Sequence, residues 1–182
     1  DIAIKDVVKG FKKNDRGQLI MACGTGKTFT TLWIKEELKS KTTLVLLPSL
    51  SLLSQTMREW VWGANHKFEA LAVCSDPTVG RSKEESENDI SAMEVGKVTW
   101  QIEDITAFLK VGEPKIIFCT YQSSKLIMEA QRDKDTHSFD LVICDEAHRC
   151  AGSGVEGAAF STVLNEGLIR AKKRLFTTAT PR

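Results

Sequence analysis

"MACGTGKT", Met21–Thr28, limits what this chain can fold into more than any other stretch. A short apolar run, Gln18 to Cys23, leads into it, and an amphipathic pattern from Thr28 to Leu38 leads out. Gly24 and Gly26, at the turn from strand into helix, let the backbone wrap closely around phosphate oxygens. Their amides can point inward around an anion, and the helix N-terminus behind adds partial positive charge. Lys27 would then reach the outer phosphates of a nucleoside triphosphate, and the Thr28 hydroxyl would ligate Mg²⁺. The loop so defined is Cys23, Gly24, Thr25, Gly26, Lys27 and Thr28. The strict pattern GxxxxGK[ST] would have glycine where Met21 stands. An ordinary Gly-rich strand–helix turn shares the short match, but the flanking strand and helix are the context the phosphate loop requires.

A second motif supplies what the first lacks. In "FDLVICDEAHR" an apolar strand, Phe139 to Cys144, ends at Asp145 and Glu146. Carboxylates there project from the C-terminal edge of a sheet, where open α/β folds bind their ligands. One such group can hold Mg²⁺, partly through water, and the other can orient and deprotonate an attacking water. Asp145 fits the first role and Glu146 the second. Alone, an Asp-Glu at a strand end is a common solvated feature. His148 has no Cys/His set around it, which argues against a metal site there.

Between these motifs the chain alternates strand and helix, the pattern of a mostly parallel sheet in an α/β fold with helices on both faces. Ile4, Val7, Val8 and Phe11 recur at helical spacing, then comes the charged turn "KKNDRG". Phe29, Leu32 and Trp33 predict the inner face of the helix after the loop. Thr43 to Leu47 reads as a strand ended by Pro48, with Ser49 or Ser51 placed to cap a helix. Leu50, Leu53, Met57, Trp60 and Val61 form that helix's apolar stripe. Further strands are expected at Phe68–Cys74, Lys115–Thr120, Phe139–Cys144 and "RLFTT", with helices at Ile102–Lys110, "SSKLIMEAQR" and around Phe160–Ile169. The polar stretch from Ser75 to Val98 reads as a loop excursion, too poor in apolar residues to offset the entropy of ordering it.

The 182 residues make one domain, with 42% hydrophobic and 27% charged residues and a net charge of +1. A nucleic-acid partner would therefore need local contacts rather than bulk charge. Lys12, Lys13 and Arg16, or Lys172, Lys173 and Arg174, are candidate basic patches, though a solvated face suits each better. Five cysteines without a CxxC pair argue for a reducing, cytoplasmic setting and against disulfides or zinc. No 18-residue apolar stretch suggests a membrane span.

Taken together, these residues resemble the first motor lobe of superfamily 2 helicases and translocases, the DEAD/DEAH group. "DEAH" (Asp145–His148) matches their motif II and "TATP" (Thr178–Pro181) their motif III. "LLPSLSLLSQ" (Leu46–Gln55) is similar to motif Ia, and "TYQSS" (Thr120–Ser124) to the motif that next contacts nucleic acid. The nearest resemblance is to motors of ATP-dependent restriction enzymes of the single-polypeptide restriction–modification type and to related predicted bacterial helicases, a branch in which Met21 is usual. It implies a three-layer, RecA-like P-loop NTPase domain that binds ATP and Mg²⁺ and moves on DNA by backbone contacts. Under it, His148, Thr178 and Thr180 couple the nucleotide site to the nucleic-acid track. Pro48, Ser49, Gln55, Thr120, Tyr121 and Gln122 would lie along that track, where hydroxyls, amides and helix N-termini hold phosphates without reading sequence. Each of these six equally suits a cap or turn, and Tyr121 suits either stacking on a base or packing.

The resemblance also implies an adenine-reading motif ahead of Asp1 and a second lobe with arginine fingers beyond Arg182. These 182 residues alone are therefore expected to bind nucleotide weakly and hydrolyse little of it. Other readings stay open at this point. A repair or RNA helicase of the same superfamily would lack flanking nuclease or methyltransferase motifs. A nucleotide-gated binding module would have no use for Glu146, and a small-molecule kinase would lack motifs Ia and III.

Overall fold

A computed structural model describes residues 2–22, 24–74, 97–112, 114–147 and 168–179. Seven strands form one sheet: β1 (Arg16–Ile20), β2 (Thr42–Leu47), β3 (Glu69–Val73), β4 (Lys97–Thr99), β5 (Lys115–Thr120), β6 (Phe139–Cys144) and β7 (Ala171–Thr178). The order across the sheet is β1-β7-β6-β2-β5-β3-β4, and every pairing is parallel. Among the described residues five helices connect or precede them: α1 (Ile2–Gly10), α2 (Lys27–Glu37), α3 (Leu50–Gly63), α4 (Ile102–Lys110) and α5 (Ser124–Ala130), the last preceded by a 3₁₀ turn, Tyr121–Ser123.

Handedness produces the three layers. The chain travels one way across the sheet from β1 through β2 to β3, then back from β4 through β5 to β6. Because a β-α-β crossover is right-handed, reversing the direction moves the connecting helices to the opposite face. Alternate side chains on the central strands follow suit. Val45, Leu47, Ile116, Phe118, Leu141 and Ile143 pack with Val7 of α1, Phe11 just after it, Leu32 of α2, and Met57 and Trp60 of α3. Leu44, Leu46, Ile117, Cys119, Val142 and Cys144 pack with Ile105, Leu109 and Ile127 of α4 and α5. Every residue of β2 and β5 is buried, as a sheet covered on both sides requires. Each fully buried Leu or Ile contributes about 1.5–3 kcal/mol.

Several local expectations are corrected. Trp33 does not face inward: it is 39% exposed, stacked against Phe29 of the preceding turn at 5.9 Å. The buried stripe of α3 is Leu53, Thr56, Met57 and Trp60, whereas Leu50 and Val61 are exposed. Val61 lies one residue, or about 100° of helix, past Trp60. Lys97 and Val98 belong not to a loop but to β4, which pairs with β3 from Leu71↔Lys97 to Val73↔Thr99. Three residues are too few to show a period in sequence. The rest of the excursion, 75–96, and most of the helix expected around Phe160–Ile169 fall outside the described residues.

Candidate nucleotide site

Because all strands run parallel, their C-terminal ends share one edge, and the loops after β1, β2, β5, β6 and β7 all emerge there. Gly24 and Gly26 adopt left-handed backbone, φ 77° and 86°, and Gly26 caps α2. A Cβ on either would strain the backbone yet meet nothing within 4 Å, so the loop is an open cradle rather than a packed turn. Thr25 closes it from within by donating its hydroxyl to the Ala22 carbonyl at 2.7 Å.

Lys27, the first residue of α2, reaches across to the end of β6. Its ammonium lies 3.2 Å from Asp145 Oδ1 and bonds Glu146 Oε1. All three side chains are largely shielded, at 13%, 19% and 16% exposure. Burial acts to lower the Lys27 pKa, but the bonds and attraction from Glu146 and Asp145 outweigh it and hold it above 10.5. Lys27 is thus a fixed cation. Two carboxylates against one ammonium leave the spot net negative, which suits a divalent cation, while the glycine amides suit phosphate.

Asp145 is fixed on three sides. Its N–H donates to Leu46 O at 2.9 Å, extending the β2–β6 ladder by one residue. Its Oδ1 accepts from the Thr177 hydroxyl at 2.5 Å, and its carbonyl accepts from the Tyr121 hydroxyl at 2.9 Å. The next residue, Glu146, is held at φ 48°, a left-handed conformation that costs a side-chain-bearing residue about 1–3 kcal/mol. Thr28 is tied from the other side: its carbonyl accepts from the buried Trp60 indole N–H at 3.1 Å and from Thr31 at 2.8 Å. Trp60 in turn meets Phe118 edge-on at 5.5 Å.

Of the remaining expected residues, Ser49 caps α3 by accepting from Leu52 N, and exposed Gln55 pairs with Glu59 one turn on. Pro48 stands at the end of β2, and Thr120, Tyr121 and Gln122 stand at the end of β5, the adjacent strand. Thr120 and Tyr121 are buried, so Tyr121 packs rather than offering a face to a base; Gln122 is exposed. Thr178 is buried in β7 and its carbonyl accepts from Met21 N. Cys23, His148 and Thr180 lie outside the described residues.

Two residues that the motifs did not single out enter the site, Thr177 and Trp60. Cys144 pairs with Phe176, so Asp145 and Thr177 stand opposite one step later. That register exists only in the folded sheet. The basic cluster of β7 forms no patch. Arg174 is 1% exposed and donates to the Ile169 carbonyl, Lys173 covers Phe11, and Lys172 pairs with Asp140. Among the described residues, no helix is long and apolar enough to cross a membrane.

A parallel sheet carrying a Gly-Thr-Gly-Lys-Thr loop after β1 and Asp-Glu after β6, on one edge, defines a RecA-like, helicase-type motor domain. Comparison with known proteins narrows this. A family model described as "Type III restriction enzyme, res subunit" matches residues 1–182, and the chain belongs to that family. It is 33% identical over 175 residues to a probable helicase of African swine fever virus, covering 94% of this chain and 18% of the viral protein. Among solved structures it is similar to a nuclease-deletion mutant of the Type ISP restriction–modification enzyme LlaGI in complex with a DNA substrate mimic, at 36% identity and TM-score 0.79, covering all of this chain and 17% of that one. It is equally similar in sequence to the ATP-dependent Type ISP enzyme LlaBIII bound to DNA, at 36% identity and TM-score 0.81, covering 98% and 12%. The Pyrococcus furiosus Hef helicase domain, at 20% identity and TM-score 0.61, shares the fold. The chain thus spans under a fifth of the viral helicase and of either restriction enzyme.

Proposed function

We propose that these residues are the ATP-binding lobe of a bacterial DNA translocase, the motor of a restriction–modification enzyme, working against a second RecA-like lobe in the intact polypeptide. What carries the reading is the meeting of Lys27 with Asp145 and Glu146 beside an open glycine cradle. Gly24, Thr25 and Gly26 would wrap the triphosphate, with Cys23 completing the loop, and Lys27 would neutralise its outer phosphates. Thr28 and Asp145 would hold Mg²⁺, which when bound neutralises charge on the phosphate oxygens. Glu146 would orient the attacking water and take its proton. Thr177 keeps Asp145 from turning away, since its hydroxyl occupies one carboxylate oxygen.

DNA is the polymer favoured by the similarity to LlaGI and LlaBIII, both solved with DNA or a DNA mimic. Pro48, Ser49, Gln55 and Gln122 would meet its backbone, with buried Thr120 bracing the turn that presents Gln122, and His148, Thr178 and Thr180 would relay contact to the nucleotide. The similarity to a viral helicase supports a second reading, strand separation rather than duplex translocation.

Steady-state ATP hydrolysis by the intact polypeptide tests both, with duplex DNA, single-stranded DNA, structured RNA or no polymer, and with Glu146→Gln as control. Stimulation by duplex alone is expected. Stimulation by single strands or RNA would move the protein to the helicase reading, and no stimulation by any polymer would overturn both.

A further inference from the structure

The lone tyrosine occupies a place that motif reading does not explain. Tyr121 begins the segment after β5, yet its hydroxyl ends on the carbonyl of Asp145 after β6. Those two strands are not neighbours, because β2 lies between them. Two strand spacings are about 10 Å, so only a long side chain turned along the sheet edge spans the gap. Tyr121 does so from a buried position, 3% exposed, packed in the same core cluster as Cys144 and Ile127.

The bonded carbonyl belongs to the peptide that joins Asp145 to Glu146. Its orientation is set by the Asp145 ψ and the Glu146 φ, and Glu146 has φ 48°. Asp145 is already pinned through its N–H and its carboxylate. Those two bonds leave the plane of this peptide free to turn, through the Asp145 ψ and with it the Glu146 φ, and the Tyr121 bond is what stops that turn. We infer that Tyr121 is a positioning residue: its hydroxyl holds the Asp145–Glu146 peptide in the orientation that keeps Glu146 left-handed, and so links the chain after β5 to the aim of the Glu146 carboxylate. The inference rests on the nucleotide reading of the site and adds to it a route by which polymer contact at exposed Gln122 reaches the water-activating group. Tyr121 itself touches neither partner. A shift of the 3₁₀ turn would relax the hydroxyl's hold, and Glu146 would be free to leave its left-handed conformation.

Tyr121→Phe keeps the ring and removes only the donor. Three quantities would be measured on the intact polypeptide: kcat and KM for ATP with and without duplex DNA, the melting temperature, and, without nucleotide, amide hydrogen exchange of the peptide spanning Asp145–Ala147. The expected result is a fall in DNA-stimulated kcat of about tenfold with ATP KM within twofold, and faster exchange confined to that peptide. Tyr121→Leu, which also loses the ring, separates packing from positioning by lowering the melting temperature as well. Unchanged kcat and exchange in Tyr121→Phe, beside a destabilised Tyr121→Leu, would make Tyr121 a packing residue and overturn the inference. A wild type that hydrolyses ATP with DNA and loses this in Glu146→Gln upholds the nucleotide reading whatever Tyr121 does. A wild type that fails that control removes both.

Discussion

We predict that Glu146→Gln binds ATP more tightly while hydrolysing it far more slowly. Lys27 bonds two carboxylates, and an ammonium so engaged must give up part of that contact to reach a phosphate. Two unit charges about 4 Å apart at an effective dielectric of about 20 attract by about 4 kcal/mol before desolvation. A charge-assisted bond contributes about 1.5–3 kcal/mol net. With both groups about one-seventh exposed and Asp145 still at 3.2 Å, only part of that is released when Glu146 loses its charge. Taking about 1.4 kcal/mol, affinity for a non-hydrolysable ATP analogue should rise about tenfold. Losing a general base should lower kcat by about 10²–10⁴. Titration calorimetry with the analogue and a coupled phosphate-release assay read the two effects separately. Weaker binding by the variant would refute the idea that Glu146 competes for Lys27, and a kcat within threefold of wild type would remove Glu146 from the chemistry.

Thr177→Val removes the hydroxyl that donates to Asp145 Oδ1 at 2.5 Å; the Mg²⁺ concentration for half-maximal ATPase should rise about tenfold, read by metal titration. Trp60→Phe loses the indole donor to Thr28 and part of a side chain with 0% exposure. The cost should be about 2 kcal/mol, a drop of about 4–8 °C in a thermal melt. Burial acts to raise the Asp140 pKa, but bonds from Lys172 and from the Lys41 and Thr42 amides outweigh it and hold the carboxyl below 3.8. A depressed pKa contributes stability above the unfolded value and loses it as pH falls through the folded one. Asp140→Asn should therefore melt lower near neutral pH and show a shallower loss than wild type below about pH 3.8; parallel acid profiles for the two would count against this.

The strands buried on both faces were the most legible part of this fold. Lys115–Thr120 and Phe139–Cys144 are apolar runs with sharp polar ends, and their bounds are those expected. Helix faces were read less well where aromatic residues sit at the rim. Trp33 and Val61 are apolar and near the right spacing, but Trp33 is taken up by the Phe29 ring and Val61 is left exposed. Arg174 shows the reverse error: a charged residue in a basic run is buried because carbonyls at the start of β7 need a donor there. At the site, the Gly-Lys-Thr loop and the Asp-Glu pair are contiguous motifs, and each appears in sequence as a local pattern. Thr177 and the reach of Tyr121 depend on strand order and register, which no local pattern encodes.

That strand order also sets two of the routes by which a polymer on this lobe can act on its nucleotide site. The segments after β2 and β5 reach it through the Trp60 bond to Thr28, by way of α3, and the Tyr121 bond to Asp145. At about 0.5–1.5 kcal/mol net for each bond, these two bonds together carry about 1–3 kcal/mol, or roughly 5–150-fold. A Trp60→Phe, Tyr121→Phe double variant should therefore lose DNA stimulation by up to about that factor, in a double-mutant cycle of ATPase rates. If wild-type stimulation is larger, and the double variant keeps the excess, the excess arises elsewhere. The candidate source is then closure of a second lobe over the Lys27–Glu146 edge, where an added cation would act on the same charges.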